Sequence, residues 1–132
     1  MSNENFTPKF PDAFNLADYF LDARIREGHG DRVAIITDAQ RISYRDVQRA
    51  ANRMANVLSS AGVRMEDRVL VVLPDCPLFV AAYFGTLKVG AVVTMVNPGL
   101  PVEDYAYYLE YTRARVVICD EALYAGIRAQ CD

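Results

Sequence analysis

Val69-Leu70-Val71-Val72-Leu73 is an apolar run with no polar interruption. A strand with one face in water alternates apolar and polar residues, so a short, β-branched run of this kind belongs to a strand covered on both faces. In a chain of 132 residues that cover must come from helices on either side, the arrangement of a parallel sheet with right-handed helical crossovers.

The segments around this run supply such helices. Asn15 is a good helix cap, and Leu16, Phe20 and Ala23 follow at helical spacing with Tyr19 beside them, up to a stop at Gly28-His29-Gly30. Val33 to Thr37 and Arg41-Ile42-Ser43 flank the turn Asp38-Ala39-Gln40, which predicts a short hairpin. Ser43 with Asp46 three residues later reads as a capping box. Val47, Ala51, Met54, Leu58 and Ala61 then define one apolar face of a long helix that Gly62 closes. Beyond the central strand, Asp75 or Cys76 starts a helix with Pro77 in its first turn. Ala91 to Val96 and Val116 to Ile118 read as two more buried strands. Pro101 to Thr112, with Val102, Tyr105, Ala106 and Leu109 on one face, and Glu121 to Cys131 read as helices. The fold class is α/β, three-layered, with a short N-terminal hairpin. Residues 1–13, with Pro8 and Pro11, form an extended N-terminal arm. Residues 14–132 form an incomplete α/β domain, because three parallel strands leave edges that need further strands or a partner.

Leu78 to Val96 contains a single charge, Lys88, and is long enough to suggest a membrane span. Gly90 divides it, helix-forming residues precede that glycine, and β-branched residues follow it. The stretch therefore reads as a buried helix and a strand, with no membrane association. The formal charge of −3 and the absence of a basic run remove the electrostatic basis for nucleic-acid binding. Cys76, Cys119 and Cys131 are odd in number and lack CxxC spacing, which excludes a disulfide framework and points to a cytoplasmic setting. Each reads as a small buried hydrophobe rather than a reactive thiol. No apolar leader occurs in the first residues, so the sequon Asn5-Phe6-Thr7 carries no meaning without export.

Most of the usual catalytic and ligand-binding constellations are absent from the sequence. His29, the only histidine, lies between two glycines and reads as a loop residue. Gly85 and Gly90 have P-loop spacing, but Ala91 and Val92 stand where Lys and Ser or Thr belong. Gly28-His29-Gly30 lacks the third glycine of a dinucleotide fingerprint and follows a helix. Tyr105, Tyr107, Tyr108 and Tyr111 have no basic groove beside them and read as packing. Asn97-Pro98-Gly99 is the one candidate. It follows a buried parallel strand, where ligands of open sheets bind; Gly99 would admit a ligand to the backbone, and the next helix N-terminus would favour a phosphate. The same residues are also ordinary for a plain strand-to-helix turn.

Taken in order, the segments resemble a known family. Phe14 to Asp22 and Gly28 to Ile35 are similar to the start of benzoate- and anthranilate-type CoA ligases. Ile42-Ser43-Tyr44-Arg45-Asp46-Val47 resembles an opening found across the adenylate-forming (acyl-CoA synthetase, AMP-binding) superfamily. Asp67 to Pro74, Phe84 to Val92, and Val96-Asn97-Pro98 resemble its next two strands, the helix between them and a strand end. The resemblance implies an N-terminal fragment of an AMP-forming aryl-CoA ligase, converting benzoate or a substituted benzoate such as anthranilate. ATP, Mg2+ and CoA would serve the parent enzyme, and none would bind tightly to this piece. The phosphate loop, the adenine- and ribose-binding motifs and the catalytic lysine would lie downstream of Asp132, so no catalytic residue transfers to this sequence. Asn97, Pro98 and Gly99 match a position that lines the CoA entrance in some relatives, some of which carry an arginine where Gly99 stands. The partners implied are an aromatic carboxylic acid, CoA, and the remainder of the enzyme. The alternative is a free-standing α/β binding module without catalysis.

Overall fold

The computed structural model describes residues 10–131. Most of the arm expected over residues 1–13, and the chain end at Asp132, lie outside the described residues. The elements in order are a π-helical turn (Asp18–Asp22) running into α1 (Ala23–Arg26), β1 (Val33–Ile36), β2 (Arg41–Ser43), α2 (Tyr44–Ser60), β3 (Arg68–Val72), α3 (Pro77–Lys88), β4 (Val92–Met95), α4 (Asp104–Thr112), β5 (Val116–Cys119) and α5 (Glu121–Ala129).

β3 is the centre of a parallel sheet of order β4-β3-β5, and β1 and β2 form a separate antiparallel hairpin. Side chains of a strand alternate between faces. Val69, Val71 and Leu73 accordingly pack with Leu58, Val63 and Ala82 under α2 and α3. Leu70 and Val72 pack with Tyr105 and Ile127 under α4 and α5. These are the three layers expected from the uninterrupted run, and Val69 to Val72 of β3 are fully buried within them. The connection from β3 to β4 steps one way and that from β4 to β5 steps back across β3. Right-handed crossovers in opposite directions put their helices on opposite faces. The hairpin lies against a third cluster, where Ala34, Ile35 and Ile42 meet Leu21, Val47 and Ala51.

Helix ends follow the local chemistry. Gly28, Gly62 and Gly90 have φ of 84°, 80° and 74°, the left-handed region that glycine enters without a Cβ penalty. At each, paired backbone bonds close the helix: Gly28 N–H donates to Ile25 O and His29 N–H to Arg24 O, with the same pattern from Gly62 and Val63 to Ser59 and Leu58, and from Gly90 and Ala91 to Leu87 and Thr86. The apolar stretch from Leu78 to Val96 is thereby split into α3 and β4. Among the described residues no helix is long and apolar enough to cross a membrane. Ser43 Oγ accepts from Asp46 N–H at 3.2 Å, and its hydroxyl donates to the Asp46 carboxylate at 2.6 Å. Half of the expected capping box therefore forms as drawn, and the Asp46 carboxylate turns to the Ser43 hydroxyl.

Several expectations are corrected. The first helix buries Ala17 and Leu21, not Leu16, Phe20 and Ala23. The turn there is π-helical, and Phe20 instead joins an exposed aromatic cluster with Phe10, Phe14 and Tyr19. Ala61 is exposed at the end of the α2 face. β4 and β5 are not fully buried, because each has β3 on one side only; Val92 and Met95 remain about half exposed. α4 begins at Asp104, not Pro101, since residues 101–103 form a turn.

Candidate functional site

β3 runs into α3 on one face of the sheet and β4 leads to α4 on the other. The two chains part above the sheet, and a shallow depression of about 430 Å3 opens between their carboxyl ends, the position at which open parallel sheets bind ligands. Its lining is Leu73, Pro74, Asp75, Phe79, Met95, Val96, Asn97 and Pro98. Asn97 and Pro98 thus stand where the sequence placed them, while Gly99 lies just beyond the lining.

The turn is held from both sides. Asn97 Oδ1 accepts from Gly99 N–H at 2.8 Å, a side-chain mimic of a backbone turn. Asn97 O accepts from the hydroxyl of Tyr105 at 3.1 Å, and the Tyr105 side chain is completely buried beneath α4. Gly99 therefore spends its N–H inside the turn. A Cβ at Gly99 would lie 3.3 Å from Asn97 Oδ1, so the compactness of the turn is a sufficient reason for glycine there. The helix that follows begins with Glu103 as cap and Asp104 in its first turn. Negative charge at that terminus opposes a phosphate.

The sequence places Leu73, Pro74 and Asp75 in the strand and at the helix start, but does not mark them or Phe79 as site residues. They reach the depression from the neighbouring strand, and the signal that could have found them is the rule that ligands sit at strand carboxyl ends. Chemically the depression offers an apolar floor, one exposed carboxylate and an amide already engaged. Its lining contains no cationic side chain and no activated nucleophile. Among the described residues no group of three or more His, Cys, Asp or Glu could hold a metal ion, so the magnesium implied by the resemblance finds no donor set in this segment.

The other polar residues serve the fold. Asp22 pairs with Lys88 and accepts from Gln48 Nε2 at 2.8 Å, which ties the first helix to the end of α3 and to α2. Asn15 caps its own helix through Oδ1 and donates Nδ2 to Leu87 O at 2.8 Å. Gly85 packs α3 against Met54 and Ala51 of α2. The three cysteines are free thiols, but none is fully buried as expected: Cys76 and Cys119 are half-buried and Cys131, beyond α5, is exposed; burial first, then Asp120 and Cys131, push Cys119 above the usual thiol range.

A family model described as AMP-binding enzyme matches residues 22–131. A 3-hydroxybenzoate/4-hydroxybenzoate–CoA ligase of Thauera aromatica is 35% identical over 108 residues, covering 82% of this chain and 21% of that protein. Crystal structures of a benzoate CoA ligase from Burkholderia xenovorans superpose with a TM-score of 0.81 at 32% identity, over 89% of this chain and 24% of that one. An anthranilate CoA ligase in complex with anthranoyl-AMP gives 0.83 at 29% identity, over 92% and 24%. The chain thus spans about a fifth of the length of the curated relatives it matches.

Proposed function

The chain belongs to the family of AMP-binding enzymes, and from that premise we propose that it is the N-terminal part of an aryl-CoA ligase, inactive as this piece. The parent reaction joins an aromatic acid, benzoate or a substituted benzoate such as anthranilate or a hydroxybenzoate, to CoA. ATP first adenylates the carboxylate and releases pyrophosphate. The CoA thiol then displaces AMP and leaves a thioester. Activation is needed because a carboxylate oxygen leaves poorly and AMP leaves well.

The observation that carries this reading is coverage: more than four-fifths of the chain aligns with about a fifth of a hydroxybenzoate–CoA ligase. On this reading residues 14–132 are one portion of a larger domain, and the remainder of that domain covers the apolar surface left open here. Val92 and Met95 on β4, and Tyr107, Tyr111 and Tyr124 on α4 and α5, are such surface.

The Asn97-Pro98-Gly99 turn is assigned to the CoA entrance. With Asp75 in the wall and no cation in the lining, it suits the uncharged, amide-bearing arm of CoA better than its phosphates. Asn97 and the Tyr105 hydroxyl behind it set the shape of that wall, and neither handles a proton of the reaction.

Incubation of the chain with ATP, CoA and benzoate, anthranilate or either hydroxybenzoate is expected to give no acid-dependent pyrophosphate. Release above the acid-free blank overturns the inactivity. Residues 14–131 grafted in place of the matching segment of a benzoate CoA ligase should preserve benzoyl-CoA synthesis. A chimera that folds but makes no thioester counts against the ligase assignment.

A further inference from the structure

The cluster beneath the hairpin does not close. Leu21, Ala34, Val47, Val80 and Phe84 surround a cleft of about 220 Å3 between the first helix, β1, α2 and α3. Ile35 and Tyr44 complete its wall, and Phe20 stands at its rim. The Tyr44 hydroxyl is the only polar side-chain group among these residues, and none of them is charged. Val80 and Phe84 face this cluster, whereas Phe79 and Ala82 of the same helix face the sheet. The cleft therefore lies on the far side of α2 and α3 from the sheet. Its walls are four elements of this chain, and it owes nothing to the open strand edges.

The space has a cause in the backbone. Asp18–Asp22 form a π-helical turn, which holds one residue more than an α-helical turn. Leu21 takes the buried position at 1% exposure, and Phe20 is carried out to 49%, where its ring meets Tyr19. A phenyl group is thereby withdrawn from the cluster, and the smaller Leu21 leaves volume open. The helix is held on both sides of this turn. Asn15 Nδ2 donates to Leu87 O at 2.8 Å, while Asp22 pairs with Lys88 and accepts from Gln48. Moving the helix inward to close the gap would break these bonds. π turns recur at functional sites, and a preformed cleft binds at little ordering cost.

We propose that this cleft binds a small uncharged aromatic molecule of one ring, the size of benzene or toluene. A dry apolar cavity of about 150 Å3 holds benzene, so 220 Å3 admits one ring with a short substituent. The rings of Phe20, Tyr44 and Phe84 favour an aromatic guest over an aliphatic one. A carboxylate would lose its water with no cation in the lining to replace it. The site is thus distinct in chemistry from one that takes an aromatic acid, and it stands or falls independently of the ligase reading.

Toluene titrated into the 132-residue chain should shift the methyl NMR signals of Leu21, Ala34, Val47 and Val80 saturably. It should also raise the melting temperature by about 2–4 °C. Benzoate should bind about tenfold more weakly or worse. Phe20→Ser, at an exposed position, should weaken toluene binding about fivefold. Ala34→Leu fills the cleft and should abolish the shifts; Val80→Leu makes the same test if the first variant does not fold. The proposal is overturned by the absence of saturable shifts up to the solubility limit of toluene, or by shifts centred on other residues. Equal affinity for benzoate, or undiminished binding in a folded, filled variant, overturns it as well.

Discussion

Gly85 is the position where the structure makes its sharpest energetic statement. It lies in α3 against α2, and a Cβ added there would stand 2.7 Å from Met54 Cβ, 2.8 Å from Met54 Cγ and 3.0 Å from the backbone oxygen of Ala51. Carbon atoms in good contact are about 3.5–4.0 Å apart, so Gly85→Ala demands that something move by close to an ångström. Two effects then compete. Alanine is better than glycine within a helix by about 1 kcal/mol, and overpacking a well-filled interface costs about 1–3 kcal/mol. The obstacles are a main-chain oxygen and a Cβ, neither of which can rotate away, so the upper end applies and the balance is destabilising by about 2 kcal/mol. For a chain of this size that corresponds to a fall in melting temperature of about 6–10 °C. Thermal unfolding by circular dichroism measures it, supported by a lower urea midpoint at unchanged slope. An unchanged or raised melting temperature would mean that helix propensity prevails and that α2 and α3 are not this close.

The glycine caps, the Ser43 cap and the Tyr105 anchor give further tests. Gly62→Ala and Gly90→Ala each force a side chain into left-handed backbone and should cost about 1 kcal/mol in chemical denaturation, more than Gly99→Ala, whose backbone is not left-handed. Ser43→Ala removes the N-terminal cap of α2 and should destabilise by about 1 kcal/mol. The Ser43 hydroxyl, then its backbone, holds the Asp46 carboxyl below its ordinary value, with nearby Arg49 and Arg45 adding to the effect. A depressed folded value stabilises above the unfolded pKa and is lost as pH falls through the folded one. The deficit of Ser43→Ala should therefore shrink in acid, and an NMR titration of Asp46 should move up in the variant. Tyr105→Phe keeps the buried ring and deletes the bond to Asn97 O. It should cost about 1 kcal/mol and speed hydrogen exchange at Gly99 N–H; unchanged exchange would show that the turn is held by other means.

What the sequence reveals and what it hides divides by range. The stops at Gly28, Gly62 and Gly90 and the start at Ser43 are legible because a few adjacent residues decide them. β3 is legible because its own residues are apolar on both faces. Residues 16–23 offer two candidate faces at helical spacing, and choosing the larger side chains picks Phe20 over the buried Leu21. The π-helical turn leaves no periodic signature that separates the two. β4 and β5 are as β-branched as β3, yet their exposure depends on which strand lies beside them. Gly85 has phosphate-loop spacing from Gly90, but its meaning is a contact with Met54, thirty-one positions earlier in the chain. The same limit applies to the site. Asn97 and Pro98 are found from their own strand, but Asp75 and Phe79 enter only through the pairing of β3 with β4.

That pairing also decides what the depression can contribute. Because β3 and β4 send their helices to opposite faces, a crevice opens between them whatever residues fill it; its chemistry depends on the two loops. Those loops supply Asp75, an apolar floor, and an Asn97 whose side-chain and backbone oxygens already bond to Gly99 and Tyr105. Such a wall is shaped in advance but carries no positive charge. Held rigidly, it can orient an uncharged group at little entropic cost; facing a polyphosphate, Asp75 would repel it. On the ligase reading, the charge that binds a polyphosphate would then come from residues outside this lining. The neutral CoA contact proposed for Asn97 to Gly99 follows from that lining, and the inactivity proposed for this chain from its coverage of about a fifth of its relatives. An isolated chain that released pyrophosphate in an acid-dependent manner would refute the inactivity, whereas the CoA contact is refuted by an Asn97→Ala variant of the grafted ligase with an unchanged KM for CoA.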